Sequence, residues 1–306
     1  MTRRRYVAPG RVTCNDRRTT HRHYLFTPDA ERRMEQIFWY CLAVSAKKYG
    51  IVVHVAVLMS THFHYVVTDV LGKLPAFRQE FHRMLAMCTK EFRDWPEEVL
   101  SKAPTGEHEP LTPKALVRQM AYAIANPSAA GAVRYSKDWP GAKTLVSDIG
   151  SRVVTMERPD YYLDEHNEDW PDVATLPIEM PDMLIEAYGS VEAARAEIAK
   201  EVSRLEHEAR QKLEAEGRSF MGARRVLRIH HTHRASSREE FGARNPMFAA
   251  AGDIAALRAA IRVRRAFDHE YEAALARWTA GDRTVVFPAG TWWMRVHHRA
   301  RCHPPP

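Results

Sequence analysis

Apolar positions recur with two periods in the first half of the chain. Residues 51–58 form a β-branched run, Ile-Val-Val-His-Val-Ala-Val-Leu, and residues 62–68 alternate, so a hairpin joined at Met59–Thr61 is expected. A short apolar-polar run at Val12, Thr13, Cys14 and Asn15 predicts an earlier strand. Between these strands, Met34, Ile37, Phe38, Cys41, Leu42 and Ser45 fall at helical spacing. Thr27, Pro28 and Asp29 read as the helix start and Gly50 as its stop. After Gly72, a second helix carries Phe77, Phe81, Met84, Leu85, Cys88 and Phe92. The order β-α-β-β-α opens the split βαβ plan. The fold class expected is therefore α+β: a ferredoxin-like antiparallel sheet with helices on one face, plus a mainly helical C-terminal extension. Val53, Val55, Val57, Phe63, Tyr65 and Val67 are expected to face the helices, leaving His62 and His64 on the other, open face. The fourth strand is less legible, with 151–156 the candidate.

Residues 95–110, rich in Glu, Pro and Gly, read as a loop. A third helix follows, capped by Thr112 with Pro113 at its first position. Its apolar stripe is Leu116, Val117, Met120, Ala121 and Ile124. Tyr122 and Asn126 lie on the opposite side, four residues apart and hence neighbours. Beyond residue 150 the character changes, dividing the chain into a domain at 1–150 and an extension at 151–306. An acidic, proline-rich connector leads to a long charged helix at 190–217 with a narrow stripe, expected to serve a second small core. Arg224–Arg234 is basic, with His230, His231 and His233, and reads as a solvated loop ahead of a second metal site. A helix at 253–281 and a closing hairpin around Pro288, Ala289 and Gly290 complete the chain.

Charge changes this picture. The net formal charge is +7, but it is +8 over 1–150, −10 over 151–217 and +9 over 218–306. Two basic blocks around an acidic one point to a polyanionic partner. Arg17, Arg18, His21, Arg22 and His23 are candidate DNA-binding residues, and Tyr24, Trp39 and Tyr40 candidate stacking platforms. No apolar run reaches the roughly 20 residues of a membrane span, so no membrane partner is expected. Four cysteines without a CxxC pair, and no signal peptide, fit a reducing cytoplasm.

The chemistry is concentrated in two segments. His62 and His64, separated by Phe63, share one strand face and supply two imidazoles to one point. Alone they read as a surface strand, and Tyr122 and Asn126 alone as an exposed tyrosine and an Asn-Pro helix stop. Together, Asn126 adds an amide oxygen as a third metal ligand and Tyr122 a nucleophile one helical turn away.

The segment Met59-Ser60-Thr61-His62-Phe63-His64-Tyr65-Val66-Val67, with Tyr122-Ala123-Ile124-Ala125-Asn126-Pro127, resembles the HUH endonucleases, and within them the single-tyrosine, REP-associated tyrosine transposases. The resemblance covers residues 6–145. It implies Mg or Mn bound by His62, His64 and Asn126, and Tyr122 as the nucleophile. It also implies single-stranded or hairpin DNA as substrate and a 5′-phosphotyrosine intermediate; a monomer or homodimer is expected. Thr61 stands where Asn is common in that family. Two other readings stay open: a domesticated, non-catalytic nucleic-acid-binding protein on the same fold, and a metal hydrolase using water. The extension is expected to support binding rather than chemistry.

Overall fold

A computed structural model describes residues 4–236 and 247–304. Strand β1 (Arg11–Arg18) is followed by helix α1 (Arg33–Tyr49), strands β2 (Ile51–Leu58) and β3 (His62–Asp69), and helix α2 (Leu74–Phe92). Next come β4 (Gly106–Pro110), α3 (Pro113–Ala129) and a hairpin of β5 (Val153–Glu157) and β6 (Val173–Pro177). Helices α4 (Asp182–Tyr188), α5 (Val191–Ala215) and the single turn α6 (Ala223–Val226) precede β7 (Phe248–Ala249). The chain ends in α7 (Ile254–Thr279), β8 (Val286–Phe287), α8 (Trp293–His298) and β9 (Arg301–Cys302). The main sheet has the order β2-β3-β1-β4-β7, antiparallel except for the β4–β7 edge.

The helix signals act close to where they stand. α1 begins four residues after Asp29, because the Asp29 carboxylate, not the Thr27 hydroxyl, accepts the free N–H groups of Arg33 and Met34, both at 2.9 Å. The helix stops at Gly50, whose φ of 65° is the left-handed cap that glycine adopts without strain. Thr112 caps α3 by accepting from the Ala115 N–H at 3.2 Å. That helix runs past Asn126 and Pro127 to Ala129 rather than ending at them.

Two expectations about the sheet are corrected. The fourth strand is β4, inside the segment read as a loop, while 151–156 belongs to the separate β5–β6 hairpin. Five residues bearing Gly, Glu, His, Glu and Pro carry no apolar alternation, so β4 is specified by pairing with β1 and not by its own pattern. The second correction is a β-bulge at His54, which shifts the β2–β3 register between Val53 and Val55. Val53 pairs with Val67 on the face of α1 and α2, but Val55 pairs with Val66 and Val57 with His64 on the opposite face. The His54 imidazole fixes the bulge from both sides, bonding the Glu179 carbonyl at 2.8 Å and the Thr68 hydroxyl at 2.7 Å.

The face carrying His62 and His64 is not open along its length. α3 packs over β2, β3 and β4 there, and α5 packs over α3. The α5 stripe, Ala194, Ile198 and Val202, therefore joins the main core instead of forming a second one. That core runs unbroken from Val12 to Val226 and does not divide at residue 150. The acidic connector lies along α1 and α2: Lys48 pairs with Asp169 at 2.7 Å, and Tyr40 donates to the Pro171 carbonyl at 2.7 Å. A separate small core holds Phe267, Tyr271, Phe287 and Met294, with Tyr6 from the N-terminal segment against it. The closing segment is not a hairpin. β8 and β9 are parallel, with α8 between them, and Met294 fills the core while Trp293 is exposed.

Candidate functional site

Strand register lays out the floor of the site. His62 pairs with Arg18 and His64 with Asp16 on β1, and Asp16 pairs with Gly106 on β4. Paired residues of an antiparallel ladder share a face, so Arg18, Asp16, His62 and His64 form one surface. Gly106 leaves room for the Asp16 carboxylate, which a Cβ at that position would displace.

α3 supplies the roof. Asn126, buried, places its Oδ1 3.1 Å from His62 Nε2. Tyr122, one turn earlier and 50% exposed, sets its ring 5.7 Å from the His64 ring, edge to face. The two imidazoles lie 4.9 Å apart at 89°. The four residues singled out in the sequence for chemistry are thus brought together, and Tyr122 is the one that faces solvent.

The electrostatics keep both imidazoles neutral at physiological pH. Burial, helped by His64 and Arg18, pushes His62 down to about 3. Burial, with Arg18 and His108, pushes His64 down to about 4. Neutral imidazole is the form that ligates a metal. His64 Nε2 is buried and finds no hydrogen-bond partner among the described residues. An orphaned ring nitrogen beside a second imidazole and an amide oxygen fits a divalent cation, so His62, His64 and Asn126 are the residues that would hold one. The Thr61 hydroxyl lies 3.0 Å from His62 Nδ1 and fixes that ring from behind. Tyr122 is pushed above the ordinary phenol range by burial and by Asp16, with Arg18 opposing. It is a proton-bearing phenol at neutral pH until a nearby positive charge assists it.

Sequence reasoning missed Asp16, which the β1–β3 register sets opposite His64, and Gly106 and His108, which reach the site through β4 pairing. His108 bonds Gln119 of α3 at 2.7 Å. Of the basic residues proposed for DNA, Arg18 and His21 are exposed. Arg17 points to the other face and donates to the carbonyls of Ser101, at 2.6 Å, and Ala103. His23 is buried, accepts from Arg234 Nε at 2.9 Å and packs edge-on against Trp95. Arg22 is half-buried. Trp39 and Tyr40 are fully buried and cannot stack on a base, which leaves Tyr24 of the three. His230, His231 and His233 sit in a turn, and among the described residues no group of three or more His, Cys, Asp or Glu is placed to hold a metal ion.

The chain is similar to a REP-associated tyrosine transposase. The solved structure of that protein, bound to a REP hairpin, shares 17% identity with it, at a TM-score of 0.41, covering 48% of this chain and 84% of the other. No protein-family model matches the chain, and no curated protein matches it. Among the described residues, no helix is long and apolar enough to cross a membrane.

Proposed function

We propose that this protein is a metal-dependent, single-tyrosine DNA transposase or endonuclease acting on single-stranded or hairpin DNA. The observation that carries the reading is the convergence of Tyr122 on His64 while Asn126 meets His62. Neither a surface strand nor an Asn-Pro helix stop requires either contact. A divalent ion, Mg or Mn, held by His62, His64 and Asn126 would polarise a phosphodiester oxygen and offset charge developing at phosphorus.

The remaining work falls to the chain. Tyr122 Oη attacks the phosphorus as its proton leaves, and the P–O3′ bond breaks. The departing oxygen takes up a proton as a 3′-OH, and the 5′-phosphate stays on the tyrosine. Arg18, exposed beside His62, is placed to hold a strand phosphate and to favour the phenolate. Asn126 and Thr61 position His62.

The test is covalent trapping. Incubated with a labelled single strand and Mn, the wild-type chain is expected to give an adduct that survives denaturing electrophoresis and is lost with EDTA. Tyr122→Phe should abolish the adduct and leave strand binding within about twofold, as expected for a group acting mainly in the chemical step. Metal-dependent cleavage that persists in Tyr122→Phe would point instead to a water nucleophile. Binding without any cleavage would point to a non-catalytic relative.

A further inference from the structure

A cavity of about 230 Å³ opens at the end of β2, lined by residues that include Arg32, Glu35, Trp139, Gly141, Lys143 and Arg152. It lies outside the His62–His64 site but is built onto the same sheet. Lys143 bridges Val57, and Val57 pairs with His64. Two strand spacings of about 4.8 Å place the Lys143 backbone roughly 10 Å from that of His64. The wall is fixed to the turn that precedes the histidines: Trp139 Nε1 donates to the Leu58 carbonyl and the Leu58 N–H to the Ala142 carbonyl, both at 2.9 Å. Gly141 lets the backbone approach closely, since a Cβ there would lie 2.8 Å from both Pro28 Cγ and Trp139 Nε1.

Three cations line this cavity. Arg32 is bound in bidentate fashion by Glu35, at 2.8 and 2.9 Å, and sits in the left-handed backbone region at φ 59°. A non-glycine residue in that region stores strain, a feature that gathers at functional sites. Arg152 bonds Asp148 at 3.0 Å and lies over the Trp39 ring. Lys143 differs from both. Its ammonium donates to the Trp139 carbonyl, and it has no carboxylate partner among the described residues. Burial holds it below the ordinary lysine range; Glu35 and Asp148 oppose that shift while Arg32 and Arg152 add to it. With Arg32 paired to Glu35 and Arg152 to Asp148, the half-buried Lys143 ammonium is the cation of the three left without a carboxylate among the described residues, and an anion would stabilise it.

We propose that this cavity binds a phosphate of the DNA strand whose scissile linkage lies at Tyr122. The proposal rests on the functional reading above and names a second contact for the same strand. At about 230 Å³ the space is several times the roughly 30 Å³ of a water and below the ~300 Å³ of a drug-sized pocket. It suits a phosphate with part of its sugar.

The experiment uses the full chain in the Tyr122→Phe background, so that binding is read without cleavage. Acetylation of Lys143 by an N-hydroxysuccinimide ester, followed by mass spectrometry, is compared with no addition, with inorganic phosphate and with a short oligothymidylate. Both additions are expected to protect Lys143. In parallel, oligothymidylates with a methylphosphonate at successive linkages are bound to the Lys143 protein and to Lys143→Met. One linkage should weaken binding about tenfold, the worth of one charge-assisted hydrogen bond. Lys143→Met should bind the unmodified strand about tenfold more weakly and lose that positional dependence, while Lys143→Arg restores most of both. The footprint and the Arg variant keep the test alive if Lys143→Met does not fold. Protection by inorganic phosphate but not by the strand would overturn the strand assignment in favour of a free phosphate. Protection by neither would overturn the site. If the wild type forms no tyrosine adduct while protection and positional dependence hold, the nuclease reading falls and the phosphate site stands.

Discussion

At the scale of single residues, the proposed metal site turns on two imidazoles: His64 Nε2 has no partner among the described residues, while His62 Nε2 faces the Asn126 amide oxygen. His62 and His64 are held well below the histidine range by burial, so at pH 7 neither ring carries a positive charge that would oppose the proposed metal. Asn126 is nine-tenths buried and committed to His62. Thr61 holds the far nitrogen of the same ring. Asn126→Ala is therefore expected to weaken Mn binding by at least about tenfold, and Thr61→Val by about tenfold, the usual range for groups that orient a metal-bound histidine. Calorimetric titration with Mn checks both, and equal affinity in all three proteins would remove Asn126 and Thr61 from the site. Tyr122 and Asn126 could be picked out in the sequence because they lie one helical turn apart, whereas Thr61 stands out there only as a departure from the family pattern. Asp16 could not, since it joins the site only through the β1–β3 register that sets it opposite His64, and nothing near it in the chain reports that pairing.

At the scale of elements, the bulge at His54 decides how β2 is used. One inserted residue turns Val55 and Val57 toward α3 and leaves Val53 facing α1, so both faces of the strand are apolar and both are covered. The imidazole that fixes the bulge is buried and pushed down to about 4. Its folded form prefers to be neutral, whereas the unfolded form titrates near 6.5. Between those values the unfolded chain binds more protons, so His54 contributes stability that is full above about pH 6.5 and lost as the pH falls toward 4. Thermal unfolding from pH 7.5 to 4.5 should show a falling melting temperature, with a shallower fall in His54→Gln. An unchanged slope would mean that other groups control the acid limb. His54→Ala is expected to cost about 1–3 kcal/mol, because it strands the Glu179 carbonyl.

At the scale of the whole molecule, α5 covers α3, and the core runs through Val226. A truncation after Gly150 removes the partner of the helix that carries Tyr122 and Asn126, and it is expected to unfold. A truncation after Ser236 keeps that core and removes only β7 and the small cluster around Phe267, Tyr271 and Phe287. It should stay cooperative in thermal melts and still form the tyrosine adduct. A folded 1–236 chain that forms no adduct would place a catalytic group in the last part. The charge distribution, with basic blocks at either end, carries its own expectation. Affinity for a single strand should fall steeply between 50 and 200 mM salt as counterion release is lost. A flat response by fluorescence anisotropy would count against phosphate-backbone binding.

The sequence by itself determined the elements whose cause is local. The β2–β3 hairpin, the Gly50 stop, the Thr112 cap and the two helical stripes that cover the sheet follow from side-chain periodicity and from capping groups a few residues away. It also singled out the side chains proposed for the chemistry, because His62 and His64 share a face by strand alternation, and Tyr122 and Asn126 by helical pitch. Only the tertiary structure decided how those faces meet. β4 has no pattern of its own and exists through pairing with β1. A bulge reverses the alternation that periodicity assumes. The long charged helix joins the main core because α3 presents it an apolar side. Each of these depends on contacts between residues far apart in the chain, and neither propensity nor spacing along the sequence encodes such contacts.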